Sequence, residues 1–488
     1  MGRVPALAGI LVAVLGLGWL PAGAAAAPAR PSIVFILSDD EDVASHAVMA
    51  KTKALIEDQG TSLANYFVSY SFCCPSRSTI LTGQYPHNHR IEGNEWPTGG
   101  YGKFLALGLG QATVGRWLRD AGYHTAFLGK VMNGYQPEQH PPLPGWDDWY
   151  AVGGGFRNFD YTLNENGRLV AYGSRPEDHL TDVLARKAVE VIRRTPLDQP
   201  LFLYLAPYDP HAPAEPAPRH ADAFTDLPYP HGPAYDEADV SDKPAVVRAL
   251  PHLLPWQIAA NERHHRERLR ALLAVDDLVE SVVSALAETG RLDDSYVIYT
   301  SDNGWHMGQH RLFVGKTTAY EEDIRVPMVL RGPGVPKGQR IAPLVLNNDL
   351  APTFAAIAGV KPPHALDGRS FLPLLAHPDR LWRKSFLIER REMETHEIQG
   401  AAILDAIRTD RLVYVEYGDG ERELYDLTRD PYQLDNAVRT AKPALLQALS
   451  DRLAALKNCA GDNCRELEDL PVEPAAQPVA LSGEGKAG

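Results

Sequence analysis

The chain has 488 residues, 44% hydrophobic and 23% charged, the proportions of an ordinary globular protein with room for one large unit and a smaller one. A formal net charge of −14 argues against general nucleic-acid binding and against adhesion to anionic membranes, although it leaves room for a local positive pocket. Four cysteines are too few for a disulfide scaffold.

In chain order, residues 1–27 carry Arg3, an apolar run over 6–20, then Pro21-Ala22-Gly23 and four alanines, the pattern of a cleaved export signal. No later stretch is long and apolar enough to span a bilayer, so the expected mature chain is secreted or extracytoplasmic, with a retained N-terminal membrane anchor as the lesser alternative. Ser32-Ile33-Val34-Phe35-Ile36-Leu37 is an unbroken apolar, β-branched run and reads as a central parallel strand buried on both faces. It ends in Ser38-Asp39-Asp40-Glu41-Asp42. Crowded carboxylates repel unless solvent or a cation neutralises them, so this end is either a solvated acidic loop or a site for a hard divalent ion such as Ca²⁺ or Mg²⁺.

Residues 72–83, Phe72-Cys73-Cys74-Pro75-Ser76-Arg77-Ser78-Thr79-Ile80-Leu81-Thr82-Gly83, predict a short helix, with Pro75 in its first turn and Gly83 as its stop. Cys73 then sits near the positive helix end, where unpaired amides favour anions, and Arg77 follows one turn along. The bland alternative is an inert or disulfide-bonded cysteine pair. Three further strands repeat the design of the first. Residues 124–129 follow a helix over 114–121 and end at Lys130. Residues 201–206 follow a helix over 178–194 and run into Asp209-Pro210-His211. Residues 296–300 follow an amphipathic helix over 263–288 and end in Ser301-Asp302-Asn303-Gly304. In a doubly wound sheet such strand ends lie close together, so four polar endings suggest one assembled site.

The fourth ending continues through Trp305-His306-Met307-Gly308-Gln309-His310 to Gly315-Lys316. Beyond a helix that starts near residue 350 and stops at Gly359, Pro362-Pro363 and Pro373 mark a linker near residue 365. Short antiparallel strands are expected over 385–389, 406–417 and 423–427, with a closing helix over 443–456. Cys459 and Cys464 flank a Gly-Asp-Asn turn and suit a small disulfide loop. Residues 473–488, rich in Ala, Pro, Gly and Ser, read as a disordered tail. The predicted architecture is α/β: a large, mixed, mostly parallel sheet sandwiched by helices over 31–365, and a smaller antiparallel sheet plus helix over 366–465.

Cys73-x-Pro75-Ser76-Arg77 with Leu81-Thr82-Gly83 resembles the signature of the type I sulfatases of the alkaline phosphatase superfamily. The segment Asp302 to Lys316 resembles their second signature. The likeness is greatest to the glucosamine-6-sulfatase and heparan endosulfatase branch and spans most of residues 31–360. It implies that Cys73 is oxidised by a formylglycine-generating enzyme to Cα-formylglycine. It further implies that Asp39, Asp40, Asp302, Asn303 and an oxygen on residue 73 bind Ca²⁺, with Mg²⁺ the lesser choice. In such enzymes a hydroxyl of the hydrated aldehyde attacks sulfur, and sulfate is then eliminated. The resemblance makes Arg77 the holder of those hydroxyls, Lys130 and Lys316 the sulfate clamp, and His211 the proton donor to the leaving oxygen.

Two departures stand out. Met132 occupies a position where many sulfatases carry histidine, which leaves His306 or His310 as the base and as further substrate contacts; Gln84 replaces an arginine peripheral to the chemistry. The expected substrate is a sulfated carbohydrate, with 6-O-sulfated glucosamine or an aryl sulfate as candidates, chosen by loops 92–105, 150–176 and 213–256. Competing readings are a phosphonate or phosphate ester hydrolase of the same superfamily, and an inactive carbohydrate-binding relative. The latter would have lost the nucleophile or the metal ligands, and this chain retains both.

Overall fold

The computed structural model describes residues 1–2, 30–391 and 403–472. The export-signal reading of residues 1–27, beyond the first two, and the tail reading of 473–488 fall outside the described residues.

Five parallel strands form the middle of a ten-stranded sheet: β1 (Ser32–Ser38), β2 (His124–Lys130), β3 (Asp148–Val152), β4 (Leu201–Ala206) and β5 (Ser295–Ser301). They lie side by side in the order β5-β1-β4-β2-β3. Antiparallel β6 (Met328–Arg331) continues the sheet beyond β5, and short strands over 61–63 and 339–341 finish that edge. The other edge is a hairpin over 161–165 and 168–172. Its two-residue loop puts Asn166 at φ 55° and Gly167 at φ 89°, the left-handed pair that matches strand twist. Half of the 150–176 segment expected as a substrate-facing loop is therefore sheet.

All seven residues of β1 are buried, because both of its faces are covered. Ile33, Phe35 and Leu37 face one core, with α1 (Cys73–Thr82), a helix over 114–120 and Phe354 of α4 (Leu350–Ala358). Val34 and Ile36 face the other, against α2 (Leu180–Arg194) and the long α3 (Pro255–Glu288). The long helix starts earlier than the apolar pattern alone predicts. Pro255 opens it and the Gln257 side chain accepts the Leu254 N–H at 2.9 Å, which caps a polar first segment.

The C-terminal sheet is antiparallel, in the order β7 (Ser385–Arg390), β8 (Leu404–Thr409), β9 (Leu412–Tyr417) and β10 (Arg422–Asp426). The single strand expected over 406–417 is a hairpin turning at Asp410-Arg411, where the Thr409 hydroxyl accepts from Leu412 N at 2.7 Å. Helix α5 (Pro443–Leu456) buries Leu449, Leu453 and Leu456 in the core of this sheet, and Cys459 is bonded to Cys464. Among the described residues no helix is long and apolar enough to cross a membrane.

Candidate active site

The carboxyl ends of β1, β2, β4 and β5 converge as the doubly wound sheet requires, and α1 points its N-terminus at them. After β1 the chain breaks sharply: Asp40 takes φ 67°, a conformation aspartate tolerates better than most residues. The bend is held on both sides. Asp40 N donates to Asp302 Oδ1 at 3.1 Å, and Asp40 O accepts from the buried Arg268 at 2.5 Å. On the β5 side Gly304 is obligatory, since a Cβ there would lie 2.0 Å from Glu322 O.

Cys73 is the first residue of α1, and the Asn94 side chain accepts the following N–H of Cys74 at 2.8 Å. Both cysteines are free and buried, which disposes of a bridge between them. Cys73 Sγ lies 2.9 Å from Lys316 Nζ and 3.7 Å from Asp39 Oδ1. Arg77, on the next turn, donates to Asp302 Oδ2 and to Lys130 O, each at 2.8 Å, and stands 3.5 Å from Asp39 Oδ1. Lys130 Nζ contacts Asp39 Oδ2 at 2.5 Å, and Lys316 Nζ contacts Asp40 Oδ1. His211 Nδ1 faces Ala212 O at 2.6 Å, which directs Nε2 to Asp40 Oδ2 at 3.6 Å. Its ring stacks on Phe156 at 4.2 Å, and the same Phe156 ring carries Lys130 Nζ at 4.7 Å.

These charges balance inside a dry site. Burial works against ionisation of Asp39, but Lys130, His211 and Arg77 overcome it and hold the carboxyl at about 2. Burial opposes ionisation of Asp40 too, and there Lys316 and His211 prevail. Burial would likewise neutralise the two lysines; the facing aspartates keep Lys130 above, and Lys316 well above, the ordinary amine range. Burial lowers His211 and lifts the Cys73 thiol to about 11, so an unmodified Cys73 is no thiolate nucleophile at neutral pH.

The donor set fits a hard cation. Asp40 Oδ2 and Asn303 Oδ1 are buried without a hydrogen bond from the protein, and ligand atoms of Asp39, Asp40, Cys73 and His211 lie within 4.8 Å of one another. Asp302, expected as a ligand, already spends one oxygen on Arg77 and the other on Asp40 N, so it can serve a metal only while shared. His211, expected at the leaving group, also borders the metal position.

His306 and His310 behave differently from the sequence expectation. His306 Nδ1 binds Asp323 Oδ1 at 2.8 Å, and its backbone pairs with Gly315, which braces the loop that carries Lys316. His310 is fully buried, with Nδ1 2.6 Å from Glu237 Oε2 and its ring stacked on Tyr320 at 3.9 Å. Met132 lies against α1, where Ser78 Oγ approaches its sulfur at 3.8 Å. Sequence reasoning missed Arg268, Asn94 and Phe156. Arg268 had left a signal, a charge set into the apolar stripe Leu272, Val275, Val279 of α3. Phe156, in an irregular loop, left none.

A cysteine at a helix start, carboxylates at strand ends and flanking cations, set on this mixed sheet, make up the layout of a hydrolase of the alkaline phosphatase fold. The chain belongs to the sulfatase family: the Sulfatase model matches residues 31–360, and the model described as N-sulphoglucosamine sulphohydrolase, C-terminal, matches 308–459. It is 34% identical to the N-acetylglucosamine-6-sulfatase of Homo sapiens over 93% of this chain and 90% of that one. Among solved structures it resembles an enzyme in complex with its substrate D-glucosamine-2-N,6-O-disulfate, with TM-score 0.75, 22% identity and coverage of 90% of this chain and 99% of the other. The phosphonate monoester hydrolase of Silicibacter pomeroyi shares the fold at TM-score 0.66 and 21% identity, covering 86% and 94% of the two chains.

Proposed function

We propose that this sulfatase releases inorganic sulfate from a sulfated carbohydrate, with 6-O-sulfated glucosamine the leading candidate, and that it uses Cys73 in its formylglycine form. The observation that carries the reading is the approach of Cys73 Sγ to Lys316 at 2.9 Å and to Asp39 at 3.7 Å, at the helix start where an anion is favoured. Formylglycine, once made by a maturation enzyme, supplies a hydroxyl nucleophile where the thiol cannot. Asp39, Asp40 and Asn303, with Asp302 shared, would hold Ca²⁺, which would supply positive charge beside the sulfuryl oxygens.

The chain's own groups do the rest. Arg77 fixes Asp302 and the carbonyl of Lys130, and so sets the floor of the site. Lys130 and Lys316, kept protonated, clamp the sulfate oxygens. His211, its Nδ1–H directed to Ala212 O, presents Nε2 to give a proton to the leaving oxygen, and once neutral is placed to take one back. His306 braces the Lys316 loop, and the His310 ring lies packed behind it. The unit over 31–365 carries the site, and the unit over 366–465 backs the Lys316 loop. The Cys459–Cys464 bond and the N-terminal segment support an extracytoplasmic location.

Peptide mass analysis of protein co-expressed with a formylglycine-generating enzyme should find aldehyde at residue 73. Cys73→Ala should lower sulfate release from 4-nitrophenyl sulfate by at least about 10⁴-fold. Turnover retained in Cys73→Ala would end the mechanism. A phosphonate monoester turned over faster than the matched sulfate would favour the second enzyme class.

A further inference from the structure

Helix α3 extends past the sheet it covers. Just beyond its C-terminus, Arg291 donates to Thr195 O at 2.6 Å and to Gln199 O at 3.2 Å, at the amino edge of β4. Towards its N-terminus Arg268 reaches the opposite edge, donating to Asp40 O at 2.5 Å and to Pro210 O at 3.3 Å. Residues 255–267 therefore stand above the carboxyl edge of the sheet, an overhang of roughly 20 Å at 1.5 Å per residue. Within it only Asn261 and His265 are buried, so this part of the helix serves no core.

His264 lies one turn before Arg268 on the same helix face. Its ring meets the edge of Trp305 at 6.2 Å, and the Trp305 ring in turn stands 5.7 Å from Lys316 Nζ, so one aromatic ring separates His264 from the sulfate clamp. His265, His306 and His310 turn into the protein; the His264 side chain keeps 17% exposure. Glu267 Oε2 is 3.9 Å from its Nδ1, beyond hydrogen-bond reach, which leaves both groups open to a ligand. Burial lowers His264 below the ordinary imidazole range, with Glu267 and Asp40 opposing and Arg268 assisting, so the ring is neutral near pH 7 and can both donate and accept.

Glu267 also lines a cavity of about 440 Å³, a size that admits a sugar ring, closed by Phe159 and residues 213–216. The cavity borders His211. Ala214 in its wall donates its N–H to His211 O at 2.8 Å, and Arg157 in its wall follows Phe156, the residue stacked on the His211 ring. Asn158 pins the two loops together, donating to Asp209 Oδ1 at 2.6 Å and to Glu215 O at 2.9 Å. Arg157, Asp160 and Glu215 are exposed there and, with Glu267, offer donors and acceptors side by side, a mixture that suits hydroxyl groups.

We infer that the α3 overhang is the wall of a cleft that receives the alcohol part of the ester, a polyhydroxylated ring, and that His264, with Glu267 beside it, hydrogen-bonds a hydroxyl of that ring. His264 is then a specificity-determining residue. The inference rests on the sulfatase reading above and names residues that choose its substrate.

The test compares glucosamine 6-sulfate, which carries ring hydroxyls, with 4-nitrophenyl sulfate, which carries none. In His264→Ala the ratio of sugar to aryl kcat/KM should fall about tenfold, mainly through KM for the sugar. His264→Gln, which keeps a donor and an acceptor, should recover part of the ratio, and Glu267→Gln should lower it severalfold. An unchanged ratio in His264→Ala, whether both activities hold or fall together, overturns the inference. Binding reads the cleft without turnover. By calorimetry with glucosamine 6-sulfate, Cys73→Ala protein should show a Kd about tenfold tighter than the same protein carrying His264→Ala as well. That difference, found alongside a parent enzyme that releases no sulfate, would leave the cleft standing and count against the sulfatase reading alone. Equal Kd values, or no binding to Cys73→Ala, would count against the cleft.

Discussion

Asp40 shows how much one residue is asked to do in this site. Its backbone turns the chain out of the sheet at φ 67°, its amide steadies Asp302, and its two oxygens face Lys316 and His211. A glycine would relieve the backbone and an asparagine would keep the shape, yet neither would hold Lys316 charged; at this point geometry and charge are chosen together. Glu322 shows the opposite case, where burial and the neighbouring Asp323 and Glu321 outweigh the favourable pull of His306. Burial raises its carboxyl from 4.5 to about 7, so the folded state holds the proton more tightly than the unfolded chain does. The stability this contributes is complete below 4.5 and is lost as pH rises to about 7. Glu322→Gln should therefore flatten the fall in melting temperature over that window, as read by calorimetry at a series of pH values. A variant curve parallel to that of the parent would refute the assignment.

At the scale of elements, the C-terminal sheet reaches into the catalytic loop. Thr317, next to Lys316, sits at φ 81°, an outlying conformation for a β-branched residue. Such strain persists only where neighbours impose it. Arg390, the last residue of β7, donates to Thr317 Oγ1 at 2.6 Å and to Thr317 O at 3.3 Å. Arg390 is thus a positioning residue for the Lys316 ammonium. Arg390→Ala should cost roughly 10- to 100-fold in kcat/KM, because a small displacement of an aligned cation is expensive. Arg390→Lys should recover part of the loss and the melting temperature should move little. Loss of activity only in proportion to loss of folded protein would show a merely structural role. Helix α1 is the complementary element: Asn94 holds its second N–H and Gly83, at φ 71°, ends it, so the ten-residue rod that begins at Cys73 is fixed at both ends.

Across the whole molecule the two sheets are joined by buried charge. Arg383, just before β7, pairs with Asp349 at 2.7 and 2.9 Å and with Glu468 at 2.7 Å, all fully buried. Glu468 also receives Arg369 at 3.0 Å. Removing the shared cation strips Asp349 of its ion-pair partner and leaves Glu468 with Arg369 alone. Arg383→Met should therefore lower the unfolding free energy by about 3 to 5 kcal/mol, measured from the urea midpoint. A midpoint within error of the parent would mean that the network is not what holds the sheets together.

The unbroken apolar run of β1 and the strand patterns of β2, β4 and β5 announced a buried parallel sheet, because burial on both faces removes alternation, and the residues just after each announced a site because strand ends converge. That Cys73, Arg77, Asp39, Lys130 and Lys316 lie together was legible from those endings and from the resemblance of two local motifs to the sulfatase signatures. The edge hairpin over 161–172 and the split of β8 from β9 were not, since turn geometry and half-exposed strands leave weak periodicity. The inward turn of His306 and His310, the Phe156 roof over His211 and the place of His264 beside Trp305 were decided by tertiary structure alone. Sequence specifies what each segment must bury and which groups it carries to its end. Which neighbours claim the hydrogen bonds of a buried polar group depends on contacts hundreds of residues apart, and only the folded chain makes those.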